Sequence, residues 1–185
     1  MRDQPAIIGT DRDLVEAILE LGDEQAFREL YRRHTPRLLG FVSRLLAGAG
    51  QEDEDVVQET WIRSCRRLEH FQWRSTFSTW LLGIGLNVVR DNLRRSKRAQ
   101  TTPTDRFPNP LEHHGAHEMR IDLERAIRRL PDDYRLILVL HDIEGMKHHE
   151  IAEQLEIPVG TTKSRLYRSR KMMREWLSEK NGVRR

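Results

Sequence analysis

Between Gly145 and Met173 the chain runs GMKHHEIAEQLEIPVGTTKSRLYRSRKMM, and few folds accommodate that stretch. Ile151, Ala152 and Leu155 recur at the spacing of one buried helical face. Pro158 and Gly160 then interrupt the pattern, and Thr161 or Thr162 can cap a second helix. On that second helix Thr162, Leu166, Ser169 and Met173 fall on one side, and Lys163, Ser164, Tyr167, Arg168 and Lys171 fall largely on the other. Two short helices, a tight break and a basic, hydrogen-bonding outer face make a helix-turn-helix, whose second helix enters the major groove of DNA. A purely structural hairpin would share the apolar spacing but would not need the break, the cap and the dense basic face together.

The net charge of +3 conceals a strong segregation. Residues 11–60 hold 6 basic and 12 acidic side chains, and residues 61–100 hold 9 and 2. Residues 101–159 hold 7 and 12, and residues 160–185 hold 9 and 2. Two basic blocks separated by an acidic one point to two nucleic-acid surfaces, because phosphate neutralisation acts locally. The acidic blocks are then available to a protein partner. A charged fraction of 33% with 6% aromatic residues fits a helical protein with thin cores. Its 185 residues suffice for one large domain or two small ones.

In chain order, Leu14, Ile18 and Leu21 predict a short helix over 11–21, ended by Gly22. Asp23 caps a longer helix to about Ala47, with Phe27, Leu30, Tyr31, Leu38, Leu39, Phe41, Val42 and Leu45 as its buried stripe. Pro36 predicts a kink or a brief break. The segment 47–51 is a turn. A third helix starts in the acidic run Glu52–Asp55, which suits the positive end of a helix dipole. It continues through Val56, Val57, Trp61, Ile62, Cys65 and Leu68, with the lone cysteine as a small core residue. FQWRSTFSTW, 71–80, carries four aromatic residues and forms a loop leading into a fourth helix over about Phe77–Arg98. Trp80, Leu81, Ile84, Val88 and Leu93 point inward on it, with Asn87, Arg90, Arg94, Arg95, Lys97 and Arg98 as its polar and basic contacts.

Residues 99–118 contain three prolines and no hydrophobic period, the mark of a linker. Fully extended, about 20 residues reach on the order of 65 Å, so the flanking modules can hold separate sites on one long partner. Helical patterning resumes at Met119 with Ile121, Leu123, Ala126, Ile127 and Leu130. Pro131 with Asp132 and Asp133 starts the next helix, filled by Leu136, Ile137, Val139 and Leu140. The tail after Trp176 and Leu177 is expected to fray. The fold expected is all-α: a helical domain over 11–98, a linker over 99–118 and a helix-turn-helix domain over 119–178.

Three blocks, EDVVQETWIRSCRRLEHF from Glu54, STFSTWLLGIGLNVVRDNLRR from Ser75 and LPDDYRLILVLHDIEGMKHHEIAEQLEIPVGTTKSRLYRSRKMM from Leu130, occur in this order across a linker. Together they strongly resemble an extracytoplasmic-function sigma factor, a small bacterial sigma subunit built of domains two and four. The resemblance covers about residues 20–177. It implies a transcription initiation factor that binds core RNA polymerase, at the clamp of the largest subunit and the flap of the second-largest. It also implies recognition of the minus-ten and minus-thirty-five promoter elements and help in melting. Asp55, Gln58, Glu59 and Arg63 match the polymerase-binding helix, whose carboxylates and amide can pair with arginines on another coiled coil.

Arg67, Phe71, Arg74, Ser75, Asn87, Arg90, Arg94 and Arg95 match the minus-ten region, where an extruded base is offset by a pocket and by stacking. Phe77 and Trp80 fit core positions better than base-stacking ones. Lys163, Ser164, Tyr167 and Arg168 match the face that meets the minus-thirty-five element, while Arg165, Arg170 and Lys171 suit phosphate contacts or intramolecular salt bridges. The chain departs from the family's usual pattern at Trp73 and Arg74, where a small residue and an acid are common. It departs again at Thr162, usually bulkier and apolar, and at Lys147–His149, usually containing a small hydroxyl. Members are commonly held inactive by an anti-sigma factor, which makes such a protein an expected partner.

A lone helix-turn-helix regulator would bind its duplex unaided and would leave the acidic helix and aromatic-basic loop unexplained. No nucleophile–base pair or glycine-rich phosphate loop occurs, and HHGAH, with His113, His114 and His117, lies in the proline-rich linker without groups to orient metal ligands. No catalytic residue, cofactor or metal is therefore expected. With no run of about 18 apolar residues and no signal-like segment in MRDQPAIIGTDRD, the expected location is the cytoplasm.

Overall fold

The computed structural model describes residues 9–47, 51–99 and 116–182. All regular structure among these residues is helical: α1 (Asp11–Leu21), α2 (Glu24–Leu46), α3 (Gln51–Cys65), α4 (Phe77–Ala99), α5 (Ala116–Arg129), α6 (Asp132–Leu138), α7 (His148–Leu155) and α8 (Val159–Gly182). A single 3₁₀ turn at Leu68–His70 and a π turn at Val139–Ile143 complete the described elements. Two compact units divide the chain, Met1–Val42 with Gln51–Asn92 and Ser43–Gly50 with Leu93–Arg185. The turn expected at 47–51 and the linker expected at 99–118 fall largely outside the described residues, as do His113, His114 and the side chains of Lys97, Arg98, His117, Met119 and Ile121.

Local signals start and stop the first helices as the sequence implies. Thr10 and Asp13 form a reciprocal capping box on α1, with the Thr10 N–H donating to Asp13 Oδ2 at 2.7 Å. Gly22 ends the helix at φ 63°, a left-handed conformation that glycine adopts without a Cβ clash. Asp23 Oδ1 accepts from the N–H groups of Gln25 at 2.8 Å and Ala26 at 3.2 Å, and so caps α2. Of the kink or brief break expected at Pro36, the break does not occur, and α2 runs through the proline. Buried Leu30 and Leu38 on either side hold the helix on the core across the one lost backbone bond.

Leu14, Leu30, Leu38, Phe41, Val56, Trp61, Phe77, Leu81, Ile84 and Val88 are all buried in or around the first unit's core. Several expected core positions are not. Leu21 is 79% exposed and Tyr31 and Leu39 are also exposed, while α1 buries Val15 and α2 buries Ala26 instead. Cys65, the expected small core residue, is exposed at the end of α3, because the chain leaves that helix there and buries Leu68 from the 3₁₀ turn. At Gly85 a Cβ would stand 3.0 Å from Leu38 Cδ1 and 3.5 Å from Thr60 Cγ2, so α4 passes close to α2 and α3 there. Thr76 caps α4, its Oγ1 accepting from Thr79 N–H at 3.2 Å.

In the second unit Ile127, Leu130, Ile137, Val139, Ile151, Leu166 and Met173 are buried. Arg135 is buried with them, and its guanidinium donates to the carbonyls of Arg128 at 3.1 Å and Leu130 at 2.8 Å and to Asp132 Oδ1 at 2.6 Å. A buried cation is thereby spent on carbonyls left open at the end of α5. Pro131 precedes α6 as its N-cap, with its carbonyl accepting from Tyr134 and Arg135. The helix expected to fray after Leu177 continues as α8 to Gly182.

Phe77 is 1% exposed and touches His34, Trp61, Phe71 and Trp80. Phe77→Ala is expected to destabilise the first unit by about 3–5 kcal/mol, read as a lowered urea midpoint by tryptophan fluorescence. An unchanged midpoint would remove Phe77 from the core.

Candidate nucleic-acid interface

The break between α7 and α8 is made by backbone. Glu156 takes a left-handed conformation at φ 56°, ψ 46°, and Ile157 N–H returns to Ala152 O at 3.0 Å. The Pro158 carbonyl then accepts from Thr161 N–H at 2.9 Å and Thr162 N–H at 3.3 Å. Helix α8 therefore starts at Val159, with Gly160 inside its first turn, and neither threonine caps it. Thr162 is fully buried, and its hydroxyl donates to Val159 O at 2.8 Å. With that hydrogen committed, Thr162 Oγ1 accepts from His148 Nδ1, 3.0 Å away. At the start of α7, the Glu150 carboxylate accepts from Lys147 N–H at 2.6 Å.

The two expected faces of α8 separate cleanly. Thr162, Leu166, Ser169 and Met173 are buried, whereas Lys163, Ser164, Tyr167, Arg168 and Lys171 are exposed, Tyr167 at 66%. Two further cations are tied to acids of the preceding helices. Arg165 pairs with Asp133 at 2.9 Å, and Arg170 forms a two-point contact with Asp142 at 2.6 and 3.0 Å. The Arg170 bonds, and secondarily His141, hold the Asp142 carboxyl below the usual range. Arg168 Nη1 lies 3.5 Å from Tyr134 OH, and Lys171 Nζ 3.9 Å from Glu175.

On α3, Asp55 and Gln58 are exposed. Glu59 and Arg63, half-buried, engage each other at 2.7 Å, and Arg63 also reaches Asp91 of α4 at 3.1 Å. That pairing locks α3 to α4.

Arg67, Arg74, Ser75, Asn87, Arg94 and Arg95 are exposed, while Phe71 and Arg90 are half-buried. The helical period places Asn87, Arg90 and Arg94 in one row along α4. Phe71 stacks on Trp80 at 4.7 Å with a 26° interplanar angle and contacts Trp73 at 4.6 Å. Trp73 has φ 55°, a left-handed backbone that costs a residue with a side chain about 1–2 kcal/mol. Its ring is covered by Arg12 of α1, whose guanidinium carbon lies 5.1 Å from the ring centroid. Sequence reasoning missed Arg12, because the contact joins residues 61 positions apart and neither periodicity nor charge density signals it. Among the described residues no group of three or more His, Cys, Asp or Glu side chains is placed to hold a metal ion, and no helix is long and apolar enough to cross a membrane.

An all-helical chain whose second unit carries a helix-turn-helix with an exposed basic recognition helix falls in the class of helix-turn-helix DNA-binding proteins. Sequence comparison places it further. Residues 30–99 match sigma-70 region 2, and residues 120–173 match sigma-70 region 4. The RNA polymerase sigma-H factor of Pseudomonas aeruginosa is 32% identical over 175 residues, 86% of this chain and 90% of that protein. An extracytoplasmic-function sigma factor of Mycolicibacterium smegmatis, SigE, is 33% identical over 190 residues, 92% of this chain and 73% of that protein. Among solved structures, the sigma factor RpoE of Bartonella quintana, in complex with the anti-sigma factor NepR, superposes with a TM-score of 0.64 at 24% identity, covering 82% of this chain and 96% of that one. The chain belongs to the extracytoplasmic-function sigma factors of the sigma-70 family. It is a transcription initiation factor that directs RNA polymerase to promoters, and the family is not enzymatic.

His148 sits beneath α8, its ring 4.5 Å from that of His141. Burial, then the positive charges of His141, Lys163 and Arg170, push its pKa down, with Asp142 opposing. Because folding favours the neutral ring, the unfolded chain takes up a proton first as pH falls through the ordinary histidine value near 6.5. Stability of the second unit is therefore lost on acidification. The urea midpoint of wild type is expected to fall more between pH 7.5 and 5.5 than that of His148→Gln, and equal falls would refute the assignment.

Proposed function

We propose that the first unit docks on the clamp of the largest polymerase subunit through the α3 face of Asp55 and Gln58, with Glu59 and Arg63 supporting it. In the same proposal the domain bounds are 11–98 and 119–178, the second domain docking on the flap of the second-largest subunit. The loop and α4 engage the minus-ten element through Arg67, Phe71, Arg74, Ser75, Asn87, Arg90, Arg94 and Arg95. Helix α8 reads the minus-thirty-five element with Lys163, Ser164, Tyr167 and Arg168, Lys171 serves the phosphate backbone, and Arg165, paired with Asp133, holds the helix to α6. An anti-sigma factor is the regulatory partner, as in the Bartonella complex, and the site of action is the cytoplasm.

The observation that carries this reading is the exposed, unequal division of α8. Lys163, Ser164, Tyr167 and Arg168 face outward, while Arg165 and Arg170 are already neutralised by Asp133 and Asp142. A helix that only needed charge would leave all its cations free. The loop adds aromatic rings beside exposed Arg74 and Ser75, the combination that handles an unstacked base.

Transcription in vitro with purified core polymerase on a genomic fragment library tests it. Starts that depend on this protein are expected, and they should fall when Asp55 or Gln58 is changed to Ala. Tight binding to duplex DNA by the protein alone, with no new starts, would replace this reading with a lone regulator.

Within α8, Lys163→Ala and Arg168→Ala are expected to cost about 1–3 kcal/mol on the preferred promoter and to relax base preference in the upstream element. Lys171→Ala should weaken all promoters alike and reduce the salt dependence of binding by about one unit of slope. Holoenzyme titrations on a randomised upstream element at several salt concentrations separate the two patterns.

A further inference from the structure

The region 2 match begins at residue 30, yet α1 is fastened to the first unit by specific bonds. Arg33 of α2 donates to Gly9 O at 2.7 Å and stands 3.6 Å from Asp11. His34 Nε2 lies 3.0 Å from Asp11 Oδ2. The capping box of Thr10 and Asp13 fixes the same turn. Arg12 lies inside this anchored turn, and that places its guanidinium over the Trp73 ring. Phe71 contacts the same ring and is itself stacked on Trp80. Trp73 therefore keeps its unfavourable left-handed backbone while its side chain is held by both Arg12 and Phe71. Arg74 and Ser75, which follow Trp73 and form the bend, are exposed.

We propose that Arg12 is a positioning residue for promoter opening. Its cation holds Trp73, and through Trp73 the Gln72–Ser75 bend, in the shape that receives the unpaired base of the minus-ten element. The inference rests on the assignment of this loop to the minus-ten element. A loop ordered before DNA arrives loses less entropy when it captures a base. The gain therefore falls on the opening step and not on recruitment. Lysine keeps a cation over the ring and should substitute in part; alanine should not.

The test uses holoenzyme reconstituted from core polymerase and the full chain on a duplex promoter. Strand opening is followed by permanganate reactivity of unpaired thymines, as both the rate at saturation and the half-saturating concentration. Arg12→Ala is expected to slow opening about twofold to fivefold, the range of a cation–π contact made by an exposed guanidinium. The half-saturating concentration should stay nearly unchanged, and Arg12→Lys should recover most of the rate. In a Trp73→Ala background, Arg12→Ala should add nothing, because its partner is gone.

Opening by Arg12→Ala at the wild-type rate overturns the inference. So does an equal loss with and without Trp73, which would make Arg12 a direct DNA contact. If Arg74→Ala and Ser75→Ala also open at the wild-type rate, the minus-ten assignment of the loop falls and takes this inference with it. If those two slow opening and Arg12→Ala does not, the inference about Arg12 falls alone.

Discussion

Packing of aromatic rings around Phe77 ties α2, α3 and α4 to the loop that precedes α4. His34, Trp61, Phe71 and Trp80 lie 4.9, 6.2, 6.0 and 5.6 Å from it by ring centroid. Trp61 extends the cluster to Tyr31 at 5.0 Å and Phe27 at 5.8 Å, and its Nε1–H donates to Thr35 Oγ1 at 3.1 Å. Phe71 extends it the other way, to Trp73. Each such pair adds about 0.5–1.5 kcal/mol beyond the area it buries. One set of side chains thus stabilises the helical core and shapes a loop that contains no regular structure between Phe71 and Thr76. Fold stability and loop geometry are coupled through these rings, so the loop cannot vary freely as surface loops usually do.

Charge is organised by a comparable economy. The acidic block over 101–159 invites the expectation that its carboxylates face a protein partner. Some of them instead work inside the second unit. Asp133 and Asp142 take Arg165 and Arg170 out of the outward-facing set, and Asp132 completes the partners of buried Arg135. The exposed pairs contribute little to stability by themselves. Their larger effect is to fix which guanidiniums stay on α8's protein side and which side chains remain for DNA. Glu29 acts similarly in the first unit: the hydrogen bonds from Arg32, then Arg33, hold its carboxyl at about 2. Arg33 in turn reaches the start of α1.

Helix limits and the main apolar stripes were readable because they depend on local signals. Thr10, Gly22, Asp23 and the 3.6-residue period act within a few positions of themselves. Periodicity is blind to how far a face wraps around, so it misplaced Tyr31 and Leu39 inside and passed over Leu86 and Val89, which are fully buried. Residue type misled at Cys65, where the chain's exit from α3 and not the side chain's polarity sets exposure. The exposed face of α8 followed from spacing alone, and so did the setting apart of Arg165, Arg170 and Lys171 for phosphate contacts or internal salt bridges; which acids they meet did not. Asp133 and Asp142 lie 32 and 28 residues from their partners, beyond the reach of any helical rule. Arg12 over Trp73 is the same kind of omission, a tertiary contact without a local trace.

The two places where the second unit departs from its family's usual pattern meet in space. Thr162 is fully buried on the underside of the recognition helix, where a hydroxyl must be hydrogen-bonded. His148, part of the unusual Lys147–His149 run, supplies the ring at that place and bonds to the hydroxyl at 3.0 Å. The hydroxyl's own hydrogen goes to Val159 O, so no polar atom of the threonine is stranded. The imidazole packs against His141, which in turn sits 2.8 Å from Asp142, the acid that holds Arg170. The Thr162–His148 contact therefore joins the start of the recognition helix to the start of α7. What looks in the sequence like looser packing at Thr162 is a hydrogen-bonded contact between the first turns of α7 and α8.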